Sequence, residues 1–256
     1  MNKTSVLIIT EGPDDKKIMS QMLRACNIVE EHRIFVFKTN IYCLYDVMES
    51  QTDGDWEQMD LPLVLRTCTS NEDERQMLSQ HFSEIVLIFD YDPQHSTYSF
   101  DKIDRMYSYF SNASEKGKLY INYPMVEAAY HFKDFPNDAS YKKRIVTKEQ
   151  LMNHEYKSIV DKDSKSIQGI LDYSNLGVIK NSIQMNLKKA LYIYSGQYEK
   201  VDFQKYLLMD FRKILKKQAK LYQTEEVIFV LFTLIFYLLD YDSNILNTEI
   251  NNLCSN

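Results

Sequence analysis

The chain of 256 residues suffices for one large domain or two small ones with a substantial core, and its net charge of -6 does not advertise a nucleic-acid binder. Hydrophobic content of 45% and charged content of 26% are ordinary for a soluble globular protein, while 6 glycines and 5 prolines argue against long flexible linkers. The four cysteines, Cys26, Cys43, Cys68 and Cys254, show neither CxxC spacing nor adjacent histidines, which points away from zinc and toward reduced thiols in a cytoplasmic protein.

At the N-terminus no basic-then-apolar signal pattern appears; the apolar run from Val6 to Thr10 is short and ends at Glu11. Residues 5–10 are predicted as the first strand, and Pro13 to Cys26 as a helix with Ile18, Met19, Met22 and Leu23 at helical spacing. Arg33 to Lys38 reads as the second strand, Ile41 to Met48 as a helix, and Gln51 to Asp55 as a loop. Leu61 to Leu65 fits strand or helix equally. Glu72 to His81 is predicted helical, Glu84 to Phe89 a third strand, and Phe100 to Phe110 a helix. Lys118 to Tyr123 is a fourth strand running into Pro124, which suits a first helical turn that would hold Glu127.

Alternation of strand and helix stops near Asp134. Helical patterns then cover Lys148 to Val160, Ser174 to Tyr194, Phe203 to Tyr222 and Thr224 to Leu239. The apolar run Val227 to Leu239 is shorter than the roughly 20 residues of a membrane span and reads as a buried helix. The expected organisation is an α/β domain over residues 1–140, with a parallel sheet flanked by helices, followed by an α-helical region over residues 141–256.

Chemistry gathers at two strand ends. Val6 to Thr10 runs straight into Glu11-Gly12-Pro13-Asp14-Asp15, and Ile85 to Phe89 into Asp90-Tyr91-Asp92-Pro93. Continuous apolar strands are typical of parallel sheets covered on both faces, where ligands sit beyond the carboxyl ends of the strands. Both clusters therefore belong to one edge. Carboxylates crowded together repel one another, and a hard divalent cation relieves the repulsion; Mg²⁺ or Mn²⁺ suits a few carboxylates plus phosphate oxygens. The competing reading is that Asp and Glu after a strand cap the next helix or favour its positive end. Glu127 is open to the same two readings.

Glu11-Gly12 with Asp15, and Asp90-x-Asp92, resemble in type and order the pattern of the Toprim (topoisomerase–primase) superfamily. The resemblance covers roughly residues 1–135 and implies a Toprim-like sheet. With no room for a topoisomerase gate, no primase zinc pattern and no Gly-x-x-x-x-Gly-Lys loop, it is nearest to compact Toprim nucleases. These include OLD-family nucleases without their ATPase half, the nuclease component of PARIS-type phage defence, and the ribonuclease that matures 5S rRNA. Asn122-Tyr123-Pro124-x-x-Glu127 resembles a further motif of some phage-defence members.

The resemblance implies a metal-dependent nuclease acting on RNA, including tRNA, or on DNA, in anti-phage defence. Glu11, Asp90 and Asp92 would be catalytic, and Glu11, Asp15, Asp90, Asp92 and Glu127 would ligate metal, with the choice between Asp14 and Asp15 open. The implied partners are nucleic acid, a separate ATPase regulatory subunit and a second copy in a homodimer; no membrane is expected. Lys142, Lys143 and Arg144, with Lys205, Arg212, Lys213, Lys216 and Lys217 on one helix beside aromatic residues, are candidate nucleic-acid contacts or else a solvated face. The five histidines are dispersed without ligand spacing, His95 lying nearest the Asp-x-Asp. Two rivals come from other classes: an Asp-x-Asp nucleotide-sugar transferase, which would not need Glu11, and a non-catalytic sensor or adaptor with a structural acidic edge.

Overall fold

The computed structural model of the protein describes residues 5–197 and 203–246; Cys254 lies outside them, and Cys26, Cys43 and Cys68 are free thiols. The strand β1 (Val6–Thr10) is apolar and buried throughout, and Pro13 at the first turn opens α1 (Pro13–Ala25), which turns Ile18, Met19, Met22 and Leu23 inward. There follow β2 (His32–Val36), α2 (Ile41–Thr52) capped by the Asn40 side chain, and α3 (Leu61–Thr67) capped by Asp60. The cap and the adjoining proline decide for a helix where apolar periodicity alone left strand and helix open. Next come α4 (Glu72–Met77), β3 (Glu84–Asp90) and α5 (Phe100–Tyr109), the last burying Ile103, Met106 and Tyr107. A short hairpin then joins β4 (Ser111–Asn112) to β5 (Gly117–Asn122). Gly117 has φ 125, and a Cβ there would lie 2.9 Å from Leu87, so glycine is required.

The five strands form one sheet in the order β2-β1-β3-β5-β4, parallel except for the terminal β4. The three motif-bearing strands are therefore adjacent and parallel, as expected.

Beyond β5 the chain forms β6 (Ile145–Thr147), α6 (Lys148–Met152), α7 (Tyr156–Asp163), α8 (Leu176–Ser195), α9 (Phe203–Leu207), α10 (Phe211–Thr224), β7 (Val227–Phe229) and α11 (Tyr237–Tyr241). The α/β class with C-terminal helices holds, and α8 matches its expected span. Three helical expectations need correction. Lys148 to Val160 is split where His154 takes a left-handed turn at φ 57. Phe203 to Tyr222 is split at Asp210, whose carboxylate accepts the Arg212 amide at 2.9 Å and starts α10 afresh.

The third correction concerns Thr224 to Leu239, which is buried but not one helix. Its first part pairs as β7 with β6, Leu231 bridges to Tyr123, and a 3-10 turn at Leu234–Phe236 leads into α11. A continuously buried apolar run carries no period that separates helix from strand. Among the described residues, no helix is long and apolar enough to cross a membrane.

This last segment is tied to the sheet. Tyr123 and Leu231 exchange backbone hydrogen bonds of 2.9 and 2.8 Å, and the Asn122 carboxamide oxygen accepts the amides of Thr233 and Leu234, each at 3.2 Å. Asn122 is fully buried. Removing it strands two buried donors, each costing about 1–3 kcal/mol. Asn122→Ala should therefore lower unfolding stability by about 2–6 kcal/mol in urea denaturation, while an exposed control such as Lys216→Ala changes it little.

Candidate metal centre

Glu11 follows β1 directly, and its amide still bonds to the Ile88 carbonyl of β3 at 3.1 Å. Asp90 closes β3, and Asp92 lies two residues on with φ 37. Because β1 and β3 are in parallel register, with Thr10 opposite Ile88, these side chains meet at one edge. One carboxylate oxygen from each of Glu11, Asp90 and Asp92 lies within 4.8 Å of the others, a grouping that could hold a metal ion.

Neutral groups fix these carboxylates. The Asp90 amide donates to Glu11 Oε2 at 3.1 Å, and Asn122 Nδ2 donates to Asp90 Oδ1 at 3.3 Å. Gln94 Nε2 donates to Asp92 Oδ1 at 3.0 Å. The Pro124 carbonyl accepts the amides of Tyr91 and Asp92, both at 3.1 Å, which pins the Asp-x-Asp turn against the end of β5. Pro124 thus serves the site through its oxygen rather than as the first residue of a helix; Glu127 sits in a 3-10 turn, Val126–Ala129.

The two readings of the acidic clusters separate residue by residue. Asp15 is buried and does cap α1, its Oδ2 accepting the Gly12 amide at 3.1 Å, yet its Oδ1 is buried without a partner. Asp14 is exposed, so Asp15 is the acid facing the interior. Neither Asp90 nor Asp92 caps α5, which begins later with Ser99 as its cap. Glu127 pairs with Lys157 at 3.2 Å and lies outside the three-residue grouping.

No cation compensates the cluster: among the described residues, Glu11, Asp15, Asp90 and Asp92 take part in no ion pair. Burial, reinforced by Asp92 and Asp15, pushes the Glu11 carboxyl up to about 8. Burial likewise raises Asp15 to about 7, with Glu127 and Asp14 adding to it, and lifts Asp90 well above the ordinary range, with Asp15, Glu11 and Asp92 adding. Asp92 rises through burial to about 6, held back by Gln94, His95 and His154. Hard oxygen donors, an orphaned buried carboxylate oxygen and no internal cation fit a divalent metal.

The basic candidates lie elsewhere. Arg144 is buried against Asp138 at 2.9 Å and donates to the His131 carbonyl at 2.7 Å, so it is a structural residue rather than a substrate contact. Arg212 grips both oxygens of Asp104 at 2.5 and 2.6 Å, tying α10 to α5. Lys142, Lys143, Lys205, Lys213, Lys216 and Lys217 are exposed, and Lys213 reaches the Tyr194 hydroxyl at 3.3 Å. None joins the carboxylate grouping.

Sequence reasoning missed the roles of Gln94 and Asn122 as holders of Asp92 and Asp90, and the placement of His154 near Asp92. Gln94 and Asn122 stand within two or three residues of the acids, a signal that was available. His154 is distant in sequence and gave none.

The raised carboxyls carry a pH signature for the metal-free protein. Below the ordinary carboxylate range these groups hold protons in folded and unfolded chains alike; as pH climbs through about 6, 7 and 8 the folded chain must release protons it binds more tightly, and stability is lost. Asp90→Asn keeps the Asn122 hydrogen bond but removes one charge. It should raise the metal-free Tm at about pH 8, by about 2–4 °C per kcal/mol relieved, and change it little at about pH 5 in parallel thermal melts.

Comparison of the chain with protein-family models, with curated proteins and with solved structures finds no match.

Proposed function

We propose that the chain is a divalent-metal-dependent nuclease of the Toprim type that cleaves phosphodiester bonds of RNA or DNA. The observation that carries this reading is the convergence of buried Asp90 and half-buried Glu11 and Asp92 at the ends of adjacent parallel strands, without a lysine or arginine among them. Mg²⁺ or Mn²⁺ would be held by these three, with Asp15 behind them. When bound, such an ion polarises a phosphoryl oxygen and lowers the pKa of a coordinated water.

The chain's own groups supply the rest. Glu11, fixed by the Asp90 amide at the same edge, would serve as general base or as a ligand to a second ion. Asn122 and Gln94 orient Asp90 and Asp92, so that the oxygens toward phosphate are set before substrate arrives. A nucleotide-sugar transferase would work from Asp90 and Asp92 alone; the contact between Glu11 and the Asp90 amide favours the nuclease. On this reading the chain is a cytoplasmic effector released by a partner ATPase, consistent with the lack of a phosphate-binding loop in its own sequence.

Asp90→Asn and Glu11→Gln should each lower cleavage of a mixed panel of RNA and DNA by more than about 100-fold, beyond the 10–100-fold that outer partners cost. Circular dichroism should remain native, and calorimetric Mn²⁺ binding should be lost. Cleavage that persists in both variants would overturn the nuclease reading; Mn²⁺ binding without cleavage of any substrate would favour the sensor or adaptor.

A further inference from the structure

Beside the carboxylate cluster lies a second feature that the metal chemistry does not use. It is a pocket of ≈ 370 Å³ between α1, the Val126–Ala129 turn and α7, a volume in the range of small-molecule sites. We propose that this pocket, walled by Ile18, Val126, Val160 and Leu171 and edged by Tyr130 and Gln168, receives one unstacked nucleobase of the strand being cut. The inference rests on the nuclease reading and adds a substrate class to it: single-stranded or locally unpaired nucleic acid.

Position is the first argument. Asp14, Val126 and Glu127 line the pocket; Asp14 adjoins Asp15, whose carboxylate faces the interior, and Val126 and Glu127 follow Pro124, whose carbonyl holds the Tyr91 and Asp92 amides at 3.1 Å. A phosphate held by the cluster would therefore have its neighbouring nucleoside at the pocket mouth.

Chemistry is the second. Ile18, Val126, Val160 and Leu171 offer apolar surface to a ring within a lining that also carries Asp14, Glu127 and Asp161, and the Tyr130 ring is held by packing 5.8 Å from Tyr173, whose hydroxyl in turn donates to the Ala129 carbonyl at 2.6 Å. Among the described residues, the hydroxyls of Tyr130 and Ser164 and the Gln168 amide make no hydrogen bond with the protein, although all three line the pocket. Hydroxyl and amide groups are the donors and acceptors that read a base edge. Lys17 and Lys157 stand exposed on the lining, Lys157 being paired only across the rim with Glu127, and can face the phosphates on either side of the base.

Steric limits supply the third. A base can enter this half-open pocket only after leaving its stack, so an uninterrupted duplex would have to pay for unpairing and would be cut more slowly.

The test uses the full chain in Mg²⁺. Nucleoside 5′-monophosphates are titrated by calorimetry into wild type and Gln168→Trp, a change at an exposed rim position that fills the mouth. At least one mononucleotide should bind saturably to wild type and about tenfold or more weakly to Gln168→Trp, a loss of about 1.4 kcal/mol, with Mn²⁺ binding unchanged. An oligonucleotide should be cut faster as a single strand than within a duplex, and Gln168→Trp should erase that difference. If no mononucleotide binds, or binding is indifferent to Gln168→Trp, the pocket inference is overturned even where cleavage still depends on Asp90. If mononucleotides bind at the pocket but no nucleic acid is cleaved, the base site stands and the nuclease reading falls.

Discussion

Four buried or half-buried carboxyl groups held together without a lysine or arginine among them are the constraint around which this molecule is organised. Each of Glu11, Asp15, Asp90 and Asp92 is moved toward the protonated form by burial, and none is relieved by an arginine or lysine. A folded protein ordinarily avoids this, because charge taken from water costs several kcal/mol unless paired. What surrounds the cluster is a set of neutral donors: the Asp90 amide, the Asn122 carboxamide and the Gln94 carboxamide. Such donors fix the positions of oxygens without cancelling their charge. A divalent cation seated among these oxygens would relieve the repulsion that neutral donors leave standing.

The C-terminal region belongs to this arrangement rather than decorating it. Thr233 and Leu234 hold Asn122, Asn122 holds Asp90, and the amide of Asp90 holds Glu11. Behind them, Tyr42 donates to the Tyr91 carbonyl at 2.6 Å and Tyr91 meets the Tyr98 hydroxyl at 2.8 Å, so the residue between the two aspartates is locked from the other side. Tyr98 also packs against Tyr222 at the end of α10, which brings that helix into the support of the site. A substitution far along the chain can therefore disturb the acids without touching them.

Much of the sheet and its edge was legible because the signals are local. A run such as Val6 to Ile9, buried on both sides, needs no partner to declare itself a strand, and an acid immediately after it can only project from the strand's end. The helical half was less legible where apolar runs are buried on all faces: Val227 to Phe236 satisfies its backbone through β6, Tyr123 and Asn122, none of which its own sequence announces. Arg144 shows the converse limit. In the sequence it stands with Lys142 and Lys143 as a basic patch, but its partner Asp138 and the carbonyl of His131 draw it inside, and only its two neighbours stay exposed.

The tied cations bear on how a polyanion would be recognised. Arg144 is spent on Asp138, Arg212 on Asp104, and Lys118 on Asp240 at 2.6 Å, so strong cations that composition offered are consumed by the fold. A substrate approaching the acidic edge of a chain with net charge -6 meets repulsion at long range. On the proposed function, attraction would arise at short range, from a divalent ion seated on Glu11, Asp90 and Asp92, from Lys17 and Lys157 at the pocket rim, and from contacts that do not depend on phosphate charge. Few phosphates neutralised means few counterions released, and a correspondingly shallow dependence of binding on salt. Such an enzyme would gain little affinity from the general charge of nucleic acid, and its selectivity would rest on what the ion and the neighbouring pocket can hold together.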